Sequence, residues 1–144
     1  MKRNRARTVG MILAIAGLSA IAGAEVFVIE LNDFSFTYDG MSNMDIDLTI
    51  AIGDTVQWNW VSGFHNVVSG LPGAADSGDL FFSGPPTADD LTTFEYTFME
   101  TGVFDFHCHV HGTGGMASFV TVVPAPGSML AMAPLGLVMM RRRR

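Results

Sequence analysis

The chain has 144 residues, a formal net charge of −6 and a single cysteine, Cys108. That length suits one domain and leaves no room for a multidomain enzyme, and one thiol excludes an internal disulfide. All eight Lys and Arg residues lie within 1–7 and 141–144, and all fourteen Asp and Glu lie between Glu25 and Asp105, so the middle of the chain repels nucleic acid and anionic lipid headgroups.

The first 24 residues read as an export leader. Lys2, Arg3, Arg5 and Arg7 form a basic head, Val9 to Ile21 is apolar, and Ala22-Gly23-Ala24 is a small-x-small pattern that signal peptidase accepts. The competing reading is an uncleaved membrane anchor. An apolar run of this length makes only about 20 Å of helix, against about 30 Å of hydrocarbon, which favours cleavage after Ala24.

From Glu25 onward the pattern is that of strands and turns, with no helix. Strands are expected at Val26–Leu31 and Phe34–Tyr38. Ile46, Leu48, Ile50 and Ile52 then alternate with polar or small residues, as do Val56, Trp58 and Trp60. Period two means one buried and one wet face, and Gly53-Asp54 between the two runs is a tight-turn dipeptide. Asn66–Ser69 is a further short strand. Gly70 to Asp90 is rich in Gly, Pro and Asp and reads as a long surface connection, with one short strand or turn at Leu80–Phe82. Alternation returns at Phe94–Phe98 and at Phe104–Cys108, introduced by Gly102, and Ala117–Val123 closes the set. Seven to eight short strands in residues 25–123 predict an all-β Greek-key sandwich.

The segment between the last two strands carries the chemistry. Cys108, His109, His111 and Met116 lie in one loop tied at both ends, with His107 just ahead of it. His65, in Phe64-His65-Asn66-Val67, is the one histidine elsewhere in the chain. A trigonal His₂Cys set with a weak axial Met is the ligand set of blue copper. It also gives an exported thiol a use, since a free one is a liability in an oxidising compartment. Singly, His65 reads as a half-buried histidine, Met116 as core filler and Cys108 as a small buried residue; in this order they read together as a metal site. Zinc is the rival ion for Cys and His, and the Met favours copper.

These motifs resemble the plastocyanin/azurin family of cupredoxins. Cys108, His111 and Met116 match its Cys-x2-His-x4-Met pattern, His65 falls in its His-Asn-Val stretch, and Gly53-Asp54-Thr55-Val56-Gln57-Trp58 matches its turn and strand. The resemblance spans about Phe34 to Val123. It implies one copper held by His65, Cys108, His111 and Met116, single-electron transfer without substrate turnover, and a redox partner protein. It also implies that Asn66 joins the ligand loops by a hydrogen bond, a contact of the kind that orients ligands. The carboxylate excess suits a basic partner surface, with an association rate that falls as salt rises; solubility in a saline habitat is the plainer reading.

Alternation puts His107 and His109 on the side away from Cys108, as surface residues, an electron exit, or ligands of a second copper. His-Cys-His also occurs in multicopper oxidases, but with a longer cysteine-to-histidine spacing. Four histidines are too few for a trinuclear cluster even in a trimer, which leaves an interfacial copper, as in nitrite reductases, as the alternative oxidoreductase reading. A surface protein on the same scaffold is the third.

After residue 123 the pattern breaks. Pro124-Ala125-Pro126-Gly127 ends regular structure, Met129 to Met140 is almost wholly apolar, and Arg141–Arg144 is a basic block. This layout resembles the PEP-CTERM sorting signals processed by exosortase-type enzymes, with Pro-Ala-Pro where Pro-Glu-Pro is usual. The competing reading of 124–144 is a plain C-terminal anchor with its positive cluster on the cytoplasmic side. The expected location is the periplasm, cell surface or exterior, with membrane contact only through this tail.

Overall fold

A computed structural model describes residues 23–126. The leader up to residue 22 and the tail from residue 127 lie outside the described residues. Nine strands follow one another: β1 (Val26–Asn32), β2 (Ser35–Tyr38), β3 (Met41–Ser42), β4 (Leu48–Ala51), β5 (Thr55–Trp60), β6 (Val68–Ser69), β7 (Thr93–Thr97), β8 (Gly102–His107) and β9 (Ala117–Val123). The extra strand against the expected seven or eight is the two-residue β3. Asp39 and Gly40, both at positive φ (48° and 76°), turn β2 into it, the backbone that tight hairpins require. Two single 3₁₀ turns, Asn43–Asp45 and Gly112–Gly114, are the helical content among the described residues.

The strands form two sheets, ordered β3-β2-β1-β5-β7 and β4-β9-β8-β6. Both are mixed: β1 runs parallel to β5 and β4 parallel to β9, and the other pairs are antiparallel. The result is the predicted β-sandwich. The alternation read from the sequence is the alternation of burial: Leu48 and Ile50 on β4, and Val56, Trp58 and Trp60 on β5, all point inward. Between the sheets the Trp58 ring lies 5.4 Å from Phe106 and the Phe36 ring 4.8 Å from Phe106, both edge-on, a geometry that adds about 0.5–1.5 kcal/mol per pair beyond area burial.

The sandwich has two functionally different ends. Because β1 and β5 are parallel, Leu31 pairs with Trp60 at one pole and Val26 with Thr55 at the other. His107 pairs with Ala117 where β8 passes into β9, and Gly102 with Val122 at the far end of that pair. The loops that follow β5 and β8 meet at the first pole. The start of β1, the turn before β5 and the end of β9 meet at the second, where Thr55 N–H donates to the Glu25 carbonyl (2.8 Å) and Ile52 N–H to the Val123 carbonyl (2.9 Å).

Candidate metal centre

Two loops build the first pole. The loop of residues 108–116 is closed by the β8–β9 ladder and braced internally. Cys108 N–H donates to the Met116 carbonyl (3.1 Å), Met116 N–H to the His111 carbonyl (3.2 Å) and Gly112 N–H to the Cys108 carbonyl (2.7 Å). Gly115, at φ 103°, makes the reversal that returns the chain to β9. The other loop follows Trp60. Its indole N–H donates to the His65 carbonyl (3.0 Å), while His65 and Thr87 exchange backbone bonds of 2.9 and 2.8 Å. The backbone of His65 is therefore fixed independently of its ring.

The side chains converge. Cys108 Sγ lies 3.8 Å from His65 Nδ1 and 3.7 Å from His111 Nδ1, and the two Nδ1 atoms are 3.2 Å apart. The point equidistant from three atoms with those separations lies about 2.1 Å from each, the bond length of a first-row transition metal to imidazole and close to that to thiolate. Three lone-pair atoms held this close, with no carboxylate among them, fit a metal ion better than they fit each other. His65 and Cys108 are fully buried and His111 half-buried. Met116 is buried as well, its backbone bonded to both Cys108 and His111. Burial first, and the neighbouring His111 ring second, push His65 below the ordinary histidine pKa; the Ser62 backbone and the Asp33 carboxylate pull the other way. The neutral imidazole is the form that binds metal.

Asn66 links the loops. It is fully buried, accepts the His109 amide N–H at Oδ1 (2.8 Å) and donates from Nδ2 to the Gly84 carbonyl (3.0 Å). His109 itself is exposed. His107 departs from the sequence expectation of a surface residue: it is 3% exposed. The connection after β6 folds over it, its Nδ1 bonds the Gly70 carbonyl (2.7 Å), and its Nε2 faces Ser77 Oγ at 3.5 Å. Alternation identifies the side of β8 on which His107 lies, but that side is covered. Among the described residues, His65, Cys108 and His111 form the one group of His, Cys, Asp or Glu with metal-ligand proximity.

Two contributors carry little sequence signal. Gly63, at φ 89°, lies against His65 Nε2 so closely that a Cβ there would collide with the ring. A glycine two residues from a candidate ligand is the only hint of this. Phe34, from the turn between β1 and β2, is 71% exposed yet sets its ring edge-on to His111 at 5.0 Å. Only the folded topology brings it there.

Residues 30–123 match the model of the copper binding proteins, plastocyanin/azurin family. Halocyanin of Natronomonas pharaonis is 34% identical over 77 residues, which cover 52% of this chain and 44% of halocyanin, so the match spans less than half the length of that relative. Among solved structures, an oxidised amicyanin variant aligns with TM-score 0.48 and 25% identity over 67% of this chain and 81% of its own. Oxidised plastocyanin of Dryopteris crassirhizoma aligns with TM-score 0.49 and 21% identity over 67% of this chain and 99% of its own. With the family model covering nearly the whole sandwich, the chain belongs to the plastocyanin/azurin family of copper-binding proteins.

Proposed function

We propose that this protein is an exported single-electron carrier, in which His65, Cys108, His111 and Met116 would hold one type 1 copper. The observation that carries the reading is the triangle of two Nδ1 atoms and one Sγ, centred about 2.1 Å from each donor. Copper bound there supplies a one-electron Cu(I)/Cu(II) couple. The rest is the work of the chain. The braced 108–116 loop and the Thr87-pinned His65 hold the donors where both oxidation states accept them. The buried faces of His65, Cys108 and Met116 keep water off the ion, and His111 alone of the ligands reaches partway to solvent, so its exposed side is the path for the electron.

Export through a leader ending at Ala24, and retention by the 124–144 segment through an exosortase-type enzyme or as an anchor, complete the reading. It puts the carrier in the cell envelope. A basic redox partner is favoured by the fourteen carboxylates of the domain. A carrier is favoured over a two-copper enzyme because the His107 ring is buried with Nε2 facing Ser77 Oγ, and no metal-ligand group other than His65, Cys108 and His111 stands among the described residues.

The test is metal reconstitution of the processed protein. One copper per chain, an intense thiolate-to-copper absorption in the visible, and reversible one-electron reduction are expected. Colourless binding, or preferential retention of zinc over copper, overturns the assignment.

A further inference from the structure

At the pole opposite the metal centre, Asp54 is a carboxylate that is only 6% exposed. Its Oδ2 accepts the Ala51 amide (2.7 Å), which closes the turn before β5, and its Oδ1 accepts the backbone N–H of Glu25 (2.9 Å). Both partners are neutral amides. Residues 8–140 contain no Lys or Arg at all, so the domain offers this buried anion no cationic side chain, a costly arrangement for a charge removed from water. Glu25 is also the residue at which the chain joins the fold: its carbonyl accepts Thr55 N–H (2.8 Å), while Gly23 and Ala24 ahead of it are exposed.

We propose that removal of the leader creates the missing cation, and that the α-ammonium of Glu25 becomes the ion-pair partner of Asp54. The inference rests on the reading of residues 1–24 as a leader cleaved after Ala24. Signal peptidase adds water across the Ala24–Glu25 peptide bond. The carbonyl carbon leaves as the Ala24 carboxylate, and the nitrogen, with the protons it gains at neutral pH, becomes the ammonium of Glu25. That nitrogen already lies at hydrogen-bond distance from Asp54 Oδ1, so cleavage converts an amide bond to a buried carboxylate into a charge-assisted one, which is shorter and about twice as strong. A recess of about 430 Å³ surrounds the junction, lined by Phe27, Thr49, Ala51 and Val123 among others; Glu25 and Asp54 are its titratable residues. Processing thus completes the pole from which both chain ends leave, and gives the mature domain a stabilising contact that the precursor lacks.

The sequence supplies a clean probe. Lys2 is the only lysine, so after cleavage the Glu25 α-amine is the sole primary amine, and an amine-reactive ester reports on it alone. The full chain is expressed with export, purified from the envelope and weighed intact; the rate of labelling is then followed against pH. The expected N-terminus is Glu25. The expected labelling profile inflects above the ordinary α-amine range of about 7.7–8.0, with labelling near neutral pH tenfold or more slower than in the same protein denatured in guanidinium. Asp54→Asn returns the profile to the ordinary range; where that variant does not fold, the native-against-denatured comparison on the unaltered protein decides. A Glu25 N-terminus with an ordinary inflection in the native state overturns the ion pair and leaves export intact. An N-terminus anywhere else overturns the ion pair together with the reading of cleavage after Ala24.

Discussion

Gly63 and His65 stand in a relationship that fixes the geometry of the metal pole: the space a side chain would need at position 63 is filled by the far edge of the His65 imidazole. His65 Nε2 is buried there with the Ser62 backbone beside the ring, and the close fit to Gly63 keeps its Nδ1 turned toward Cys108 and His111.

It follows that Gly63→Ala is disproportionately harmful. The substitution adds strain at φ 89°, where any L side chain is disfavoured by about 1 kcal/mol, and it drives a methyl group into the ring. The expected result is copper affinity reduced tenfold or more and a weakened or shifted thiolate absorption, with far-UV circular dichroism nearly unchanged. Equilibrium competition against a copper chelator measures it; wild-type affinity in Gly63→Ala would show that the ring has room to move.

Asn66 couples the two ligand loops through its bond from the His109 amide, and ties them to the connection after β6 through its bond to the Gly84 carbonyl. Asn66→Ala leaves the His109 amide and the Gly84 carbonyl, both in part-buried bonds, without their side-chain partner, at a cost of about 1–3 kcal/mol for a group that water cannot reach. Loss of a contact of this kind typically lowers metal affinity about 10–100-fold. Thermal unfolding with and without copper separates the two effects: the copper-free Tm falls, and the increment gained on adding copper shrinks as well.

Cys108→Ser tests the site from the other side. The side chain is small and fully buried, so the copper-free fold survives with a modest drop in Tm, while the visible absorption disappears with the thiolate. Cys108 is the only cysteine of the chain, so retained colour in this variant would mean that the absorption does not come from a thiolate and would overturn the copper assignment.

Much of this pole is legible in the amino-acid sequence. Period-two alternation marks Leu48, Ile50, Val56, Trp58 and Trp60 as inward-facing because a strand with one wet face must alternate, and each of them is buried. The order of His65, Cys108, His111 and Met116 is legible because loops of fixed length between strands leave few ways to assemble a ligand set. What stays hidden depends on distance in space. Phe34 is brought to His111 by the pairing of β1 with β2 and β5, and no local pattern carries that. Ile52 and Phe94 look like core from alternation but are only half-buried: Ile52 falls in the turn after β4 and Phe94 on β7, the edge strand of its sheet. For His107, alternation gives the correct side of the strand and the wrong environment, since burial of that side is decided by a Gly- and Pro-rich connection whose path alternation does not describe.

The depressed pKa of His65 predicts how the copper-free protein responds to acid. In the unfolded chain a histidine titrates near about 6.5; in the fold, burial and then His111 hold His65 below that. Between the two values the unfolded state binds the extra proton, so stability falls as pH drops through the unfolded value toward the folded one, and above it His65 has no effect on the pH dependence. The copper-free protein therefore loses Tm on acidification below about pH 6.5, and His65→Gln flattens part of that slope. Identical slopes in the two proteins would mean that His65 is as easily protonated in the fold as outside it.

His107 is the residue on which a carrier and a two-copper oxidoreductase differ most. A second copper, or an electron path through the ring, needs an approach to Nε2 or an open face, whereas the connection after β6 encloses the ring, with Nε2 facing Ser77 Oγ and Nδ1 bonded to the Gly70 carbonyl. Gly112 is packed against the same ring, close enough that a Cβ there would meet it, so His107 also supports the floor of the 108–116 loop. His107→Phe keeps the bulk and removes the bond, leaving the Gly70 carbonyl to compete for water. The expected outcome is faster hydrogen exchange or proteolysis confined to residues 70–79, a stability loss of about 1–3 kcal/mol, one copper per chain as before, and an unchanged visible spectrum. A drop in copper stoichiometry in His107→Phe would instead make the ring a ligand and restore the oxidoreductase reading.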